Sequence, residues 1–289
     1  MQPLNSDTLV LDGAPAAAPA IVLPLVETRS GAQRLAPRKL PRGAYLLGPA
    51  VVLVLWQLAS EVGWLPPQLL APPSAALATG YELWVDGALG AHLMASAVRA
   101  YSGLVLGVVL GLVLALVSGL TRSGEAAVDG LVQVKRAVPT LALIPLAILW
   151  LGIGEAMKVT IITLAVLVPV YINTHASLRG IDLRYVELAR TLGLGHGEFL
   201  KRVAFPGALP GFFTGLRLAV TTCWTSLVVL EQINTTEGVG FLMNRAREYG
   251  QTDVIVVGLI IYAGLGLVSD ALVRAWERRT LAYRKALGQ

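Results

Sequence analysis

Six apolar stretches, at about residues 44–63, 97–119, 131–151, 156–176, 211–231 and 254–274, constrain this chain more than any other feature. A helix of ~20 residues rises ~30 Å, the thickness of a bilayer's hydrocarbon core, so each stretch can cross a membrane. None shows the ten-residue alternation of a membrane strand. Charged residues make up only 14% of the chain and hydrophobic residues 55%, with a mean hydropathy of +0.67. A soluble domain carries about 25% charge. The expected fold is therefore all-α: a polytopic membrane protein with about six transmembrane helices. The single cysteine, Cys223, excludes an internal disulfide. The net charge of +5 does not indicate a nucleic-acid partner, because in a membrane chain the distribution of Lys and Arg carries the information.

That distribution sets an expected orientation. With the N-terminus inside, the cytoplasmic segments hold Arg29, Arg34, Arg38, Lys39 and Arg42, then Arg122, then Arg179, Arg184, Arg190, Lys201 and Arg202, then the C-terminal cluster from Arg274 to Lys285. The outer segments hold only Arg99, Lys158, Arg245 and Arg247. The positive-inside rule then places both ends in the cytoplasm. Residues 1–43 read as a disordered cytoplasmic tail, 44–276 as the transmembrane domain and 277–289 as a cytoplasmic C-terminal tail. The apolar run at Ile21–Val26 is broken by Pro24 and is too short for a signal-peptide core. Lys135 and Arg136 start the third stretch, where they can snorkel to the cytoplasmic interface. Ser74 is a candidate cap for a short outer helix running to about Trp84.

The charged segment 177–210 interrupts this pattern. Asp182 can cap a helix over about 183–192, with Glu187 and Arg190 three apart on one face. Gly193, Gly195 and Gly197 end it, and a second short helix follows over about 198–204. Pro206 and Pro210 are expected to stop that helix and restart the chain as the fifth span. Two short helices about a glycine turn make a rigid projection able to transmit a push.

The run Glu187-Leu-Ala-Arg-Thr-Leu-Gly193, nine further residues and Val203-Ala-Phe-Pro206 resembles the EAA loop of ATP-binding cassette (ABC) importer permeases. That pattern is Glu-Ala-Ala, three residues, Gly, nine residues, Ile, one residue, Leu-Pro. Leu188 and Phe205 differ from it in size and Val203 differs mildly. The segments from Val138 to Lys158, Pro169 to Thr174, Asn244 to Asp253 and Trp276 to Arg279 are similar to the nitrate/sulfonate/taurine branch of these permeases, aliphatic sulfonate permeases above all. The resemblance covers about residues 45–285. It implies the type I importer, MetI-like fold. It also implies that Glu187, Ala189, Gly193, Val203 and Pro206 couple the permease to a separate ATPase. That ATPase carries the ATP and Mg; this chain is expected to hold no cofactor. The other implied partners are an extracytoplasmic solute-binding protein and a second permease copy, in the lipid of a bacterial cytoplasmic (inner) membrane.

The residues agree that ATP binds elsewhere, since the chain has no Gly-Lys-Ser/Thr. It also has no His-Glu-x-x-His and no Gly-x-Ser-x-Gly, and His92, His175 and His196 are scattered, so neither a catalytic nor a metal site is expected. Candidate residues for a solute path are Pro139, Pro145, Pro169 and Asn173, where proline frees carbonyls that lipid cannot satisfy. The fifth stretch adds Thr221, Trp224, Thr225 and Glu231. Arg217, Thr221, Trp224, Val228 and Glu231 recur at helical spacing as one stripe. This stripe is either a helix–helix seam bonded through Thr hydroxyls or a wall of the path with Trp224 as its constriction. Both hold if a dimer seam is the path.

The expected function is passage of a small organic anion, first an aliphatic sulfonate, with taurine or nitrate as alternatives in the same branch. An ion-coupled secondary transporter is the rival from another class. It needs buried acids as ion sites, and Glu61, Glu231 and Asp270 all fall near expected helix ends. A membrane scaffold without transport is a third reading, which the path prolines and the polar stripe oppose.

Overall fold

The computed structural model describes residues 47–233 and 235–282. The tail expected over 1–43 lies outside the described residues. The chain divides into two compact units between Pro49 and Ala50. Of the first unit only Leu47–Pro49 are described, and all packing given below belongs to the second.

Among the described residues the structure is helical throughout. A short helix α1 (Leu47–Glu61) and an outlying α2 (Pro73–Val85) precede the long α3 (Ala88–Leu120). Then come α4 (Arg122–Ala137), a 3₁₀ turn (Thr140–Leu143), α5 (Ile144–Leu151) and α6 (Glu155–Arg179). The segment after α6 contains α7 (Leu183–Thr191), α8 (His196–Phe199) and a π-helical turn (Leu200–Ala204) that runs into α9 (Phe205–Glu231). Helices α10 (Val239–Glu248) and α11 (Thr252–Thr280) complete it.

Four spans are long and apolar enough to cross a bilayer: α3, α6, the run Gly197–Glu231 and α11. The third expected span, 131–151, is not straight. Its apolar part belongs to a pair, Arg122–Ala137 and Thr140–Leu151, bent by 91°. Pro139 is the cause. A proline disfavours helical geometry in the residue before it, and Val138 is extended, with φ −90° and ψ 121°. The first expected span is described as only 15 residues in α1, about 22 Å of rise. The fifth begins earlier than expected. Pro206 and Pro210 do not stop the preceding helix; 35 residues run continuously from Gly197 to Glu231. The π-turn explains this. Phe205 N–H donates to Leu200 O, five residues back, and the widened turn makes room for the ring of Pro206. Ser74 caps nothing. Pro72 holds the cap position of α2, and Ser74 N–H donates instead to Gln57 Oε1 of α1 at 3.2 Å.

The core is α6 held between α3 and α9. Met157, Ile161, Ile162, Val166 and Val170 of α6 pack with Ala219, Val220, Cys223 and Leu227 of α9. Such close approach needs small residues, because helices in lipid gain little from burying apolar surface and depend on backbone contact. On α3 the small residues are Gly103, Gly107 and Gly111, a four-residue spacing that sequence reasoning overlooked. A Cβ on Gly107 would lie 2.6 Å from Val166 Cγ1 and 2.8 Å from Thr163 O. On α9, a Cβ on Gly211 would lie 2.2 Å from Asn173 O.

Gly107→Leu is expected to lower the stability of the detergent-solubilised protein by about 1–3 kcal/mol through overpacking. Gly130→Ala is the control, because nothing lies within 4 Å of a Cβ there. Thermal unfolding of the two variants checks this; equal midpoints would mean that α3 and α6 are not in contact along this stripe.

Candidate functional site

Three sites lie at three levels of the bundle, named here by the end that carries α7 and α8 (the loop end) and the opposite, far end. At the loop end, Asp182 caps α7, its Oδ1 accepting from Arg184 N–H at 2.9 Å. The C-terminus closes with two reversed bonds, Gly193 N–H to Arg190 O at 3.0 Å and Leu194 N–H to Ala189 O at 3.0 Å. This pairing requires a left-handed residue at the corner, and Gly193 supplies it with φ +67°. Gly195 and Gly197 show no positive φ. Ala189 is buried, whereas Leu183, Tyr185, Leu188 and Leu192 are exposed. Tyr185, Leu188 and Leu192 recur at helical spacing on one side, so α7 presents an apolar face there, with Leu183 on the other side. Glu187 is also exposed, and no ion pair joins it to Arg190 among the described residues. Val203 and Pro206 line a cavity of about 660 Å³ with Asp182, Tyr185 and Arg202. The five residues expected to couple the chain to a partner thus sit on one capped helix, its corner and the root of α9.

Level with the middle of α6 is a second, open cavity of about 500 Å³. Pro139, Pro169 and Asn173, all expected on a path, line it together. Asn173 Nδ2 donates to Pro169 O at 2.8 Å. Pro145 is not among the lining residues and lies exposed in the first turn of α5. Lys135, Arg136, Thr140 and Thr222 line the same cavity and escaped the sequence reading of the path. The expectation that Lys135 and Arg136 reach an interface is corrected, because the bend at Pro139 brings them beside Ala165 and Pro169, midway along α6.

The third site is buried at the far end. Glu231 Oε1 accepts from Arg99 Nη1 at 2.7 Å. Glu231 Oε2 accepts from Tyr262 Oη at 2.7 Å and from Gly240 N–H at 2.9 Å. Ser96 Oγ donates to the same carboxylate at 2.8 Å. Arg99 also donates to Glu155 Oε2 at 2.5 Å and to Glu237 O at 2.6 Å. This set ties α3, α6, α9, α10 and α11 together. The Glu231 side chain is fully buried and that of Arg99 is 9% exposed. The sequence counts Arg99 among the outer segments, whereas it lies inside α3, which starts nine residues before the apolar run expected at 97.

The expected stripe on α9 therefore divides. Thr221 and Thr225 are exposed, with hydroxyls bonded back to Arg217 O and Thr221 O. Trp224 and Glu231 instead point into the subunit. Trp224 Nε1 donates to Ser269 Oγ at 3.2 Å, and its ring meets Tyr101 edge-on. The path assignments of Trp224 and Glu231 are corrected on this geometry: a side chain at most 5% exposed in its own subunit does not wall an open passage. Asp270 is not near a helix end; it lies well inside α11 and pairs with Arg217 at 3.2 Å and Arg274 at 3.0 Å. Among the described residues no group of three or more His, Cys, Asp or Glu could hold a metal.

The family model of the binding-protein-dependent transport system inner membrane component matches residues 107–282, which contain the capped loop and both of its flanking spans. This chain belongs to that family of ABC transporter permeases. A permease of Escherichia coli (strain K12) named for aliphatic sulfonates transport, SsuC, is 44% identical over 82% of this chain and 90% of its own. Its namesake in Bacillus subtilis (strain 168) is 36% identical over 83% and 87%. The taurine transport system permease TauC of Escherichia coli is 32% identical over 80% and 86%. Among solved structures, an amino acid ABC transporter with histidines covers 71% of this chain and 97% of its own, with a TM-score of 0.58 at 18% identity. That likeness concerns the fold. The permease is thus a multi-pass membrane transport subunit, and hydrolysis of ATP belongs to a separate ABC partner. Family membership brings a second partner, the binding protein.

Removing one member of a buried ion pair strands the other charge and costs about 3–5 kcal/mol, whereas removing both is far milder. Glu231→Met and Arg99→Met are each expected to lower the unfolding midpoint of the permease sharply, and the double variant less than the sum. An additive double-mutant cycle would mean the two groups do not interact.

Proposed function

We propose that the permease imports a small aliphatic sulfonate across a bacterial cytoplasmic membrane. An extracytoplasmic binding protein delivers the solute to a pore made by two copies of the chain. The observation that carries the drive mechanism is the unbroken helix from Gly197 to Glu231. With α7 capped at both ends and cornered at Gly193, a push on the exposed apolar face of α7 moves α8, and α8 is continuous with α9. A helix transmits displacement along its whole length, whereas a flexible loop absorbs it. The ATPase docks on this face, through the surroundings of Glu187, Ala189, Gly193, Val203 and Pro206, and carries the ATP and Mg itself.

The orientation follows from charge. The loop end holds Arg179, Arg184, Arg190, Lys201 and Arg202, so it and both termini face the cytoplasm. The second copy covers the exposed face of α9 that bears Thr214, Leu218, Thr221 and Thr225, and the exposed apolar residues of α3 and α11 meet lipid. Sulfonate is the first reading because two relatives named for aliphatic sulfonates are 44% and 36% identical. Taurine is the second, supported by one at 32%. Ion coupling is disfavoured. Glu231 is locked by an arginine, a tyrosine, a serine and a backbone N–H, and a carboxylate so saturated has no lone pair left for a transported ion.

Reconstituted with its ATPase and binding protein, the permease is expected to take up radiolabelled alkanesulfonate only when ATP is enclosed with the ATPase. Uptake that survives without ATP and collapses with a proton gradient would overturn the reading. Reporters fused near residue 182 and near residue 245 are expected to register the cytoplasm and the outside, respectively.

Gly193→Val places a β-branched residue at φ +67°, a strain of about 1–3 kcal/mol. A loss of that size in coupling lowers uptake by roughly five- to 150-fold. Membrane abundance is expected to hold, because nothing lies within 4 Å of a Cβ at this position. Normal uptake at normal abundance would remove the lever role from this corner.

A further inference from the structure

The cavity beside α6 has a chemical character beyond its shape. Lys135 and Arg136 line it, and no carboxylate does. Neither cation has an ion-pair partner among the described residues. Other cations of the spans do: Arg99 pairs with Glu231 and Lys158 with Glu155 at the far end, and Arg217 pairs with Asp270. Lys135 is half-buried and Arg136 exposed at the cavity wall, and two adjacent cations without a counter-ion attract an anion. Lys135 Nζ donates to Thr140 Oγ1 at 2.7 Å, which uses one of its three donors and leaves two. Thr222 of α9 also lines it, its hydroxyl donating to Leu218 O at 2.9 Å, which leaves Thr140 as the threonine donor. Val138, Ala165, Val168, Ile172 and Leu218 give the lining an apolar part, and the Asn173 amide on it donates to Pro169 O.

We propose that this cavity is a transit site in the permease for a monoanion with an apolar tail, and that it discriminates against zwitterions. The proposal deepens the sulfonate reading and rests on it for the identity of the solute. A sulfonate group offers three acceptor oxygens and stays ionised at any physiological pH. The guanidinium of Arg136, the ammonium of Lys135 and a threonine hydroxyl can donate to it together. The alkyl tail then lies along Val168, Ile172 and Leu218. An aminosulfonate such as taurine fits the same oxygens, but its ammonium meets two like charges and no carboxylate. The site therefore separates the two solutes that the relatives leave open. Its openness on one side suits passage, since a conducting site must bind weakly enough to release.

The test uses the full permease–ATPase complex in detergent, without the binding protein, so that selectivity supplied from outside plays no part. Saturation-transfer NMR with butanesulfonate and with taurine reads contact and affinity. The expected result is saturable butanesulfonate binding, taurine weaker by about tenfold or more, and a similar loss for butanesulfonate in Lys135→Gln/Arg136→Gln, the size of a lost charge-assisted hydrogen bond. The charge-retaining pair Lys135→Arg/Arg136→Lys is expected to keep binding, and copurification of the ATPase verifies that each variant is assembled. Equal affinity for taurine, or butanesulfonate binding untouched by the neutral pair, overturns the site. Uptake of alkanesulfonate at the unaltered rate with both cations neutralised also overturns it, while leaving the import reading in place. A complex that binds butanesulfonate through these cations but imports no sulfonate supports the site and removes the import reading instead.

Discussion

Backbone-to-backbone approach at α6 is the constraint from which the rest of this structure follows. A helix in lipid cannot rely on the hydrophobic effect to hold its neighbours, because lipid tails are as apolar as leucine. Here α6 touches α3 through Gly103, Gly107 and Gly111, and touches α9 through Gly211 and Gly215. Any Cβ at these positions would collide with carbonyl oxygens or β-branched side chains of α6. The two seams set how deeply α3 and α9 sit on α6. They therefore set where the bonding groups of the far end and the walls of the central cavity come to lie.

Polar groups divide by level, and the division has a physical logic. At the far end the charges are paired and buried: Glu231 with Arg99, and Arg99 in turn with Glu155. Such a set contributes order more than energy, since the desolvation of two ions offsets most of their attraction. It pins the start of α10 to the end of α9, since the backbone N–H of Gly240 donates to the same carboxylate. In the middle, Lys135 and Arg136 are unpaired and face a cavity. At the loop end the charges are exposed, as on Glu187 and Arg190. A rigid outer clasp, an open cationic middle and a capped inner lever are the parts that a solute gate needs, arranged along one three-helix core.

Sequence reasoning found some of this directly. The loop was legible nearly residue by residue, because capping is local chemistry. Asp182 starts α7, Gly193 ends it with a positive φ, and both follow from the side chain and its immediate neighbours. Pro206 and Pro210 misled for the opposite reason. Proline taken alone predicts a break, but the π-turn before Pro206 removes the clash, and no residue of the sequence announces a π-turn. The stripe on α9 misled because helical spacing gives an angle without a reference. It places Thr221, Trp224 and Glu231 roughly together, yet burial depends on where α3 and α11 touch. One edge of that stripe is open and the other lies in the core.

What the sequence determined by itself was the solvent, the secondary structure and the family. Long apolar runs admit only helices in a bilayer, because every backbone polar group must be satisfied within its own segment. The spaced loop motif then names the kind of machine. Only the tertiary structure decided which charges are partners and which face a cavity. Arg99 and Glu231 are 132 residues apart along the chain, and nothing local links them. Lys135 and Arg136 look like interfacial anchors until the chain bends at Pro139 and carries them beside the middle of α6. Pairing of distant charges depends on how deeply helices interlock, and that depth is set by contacts among all of them at once.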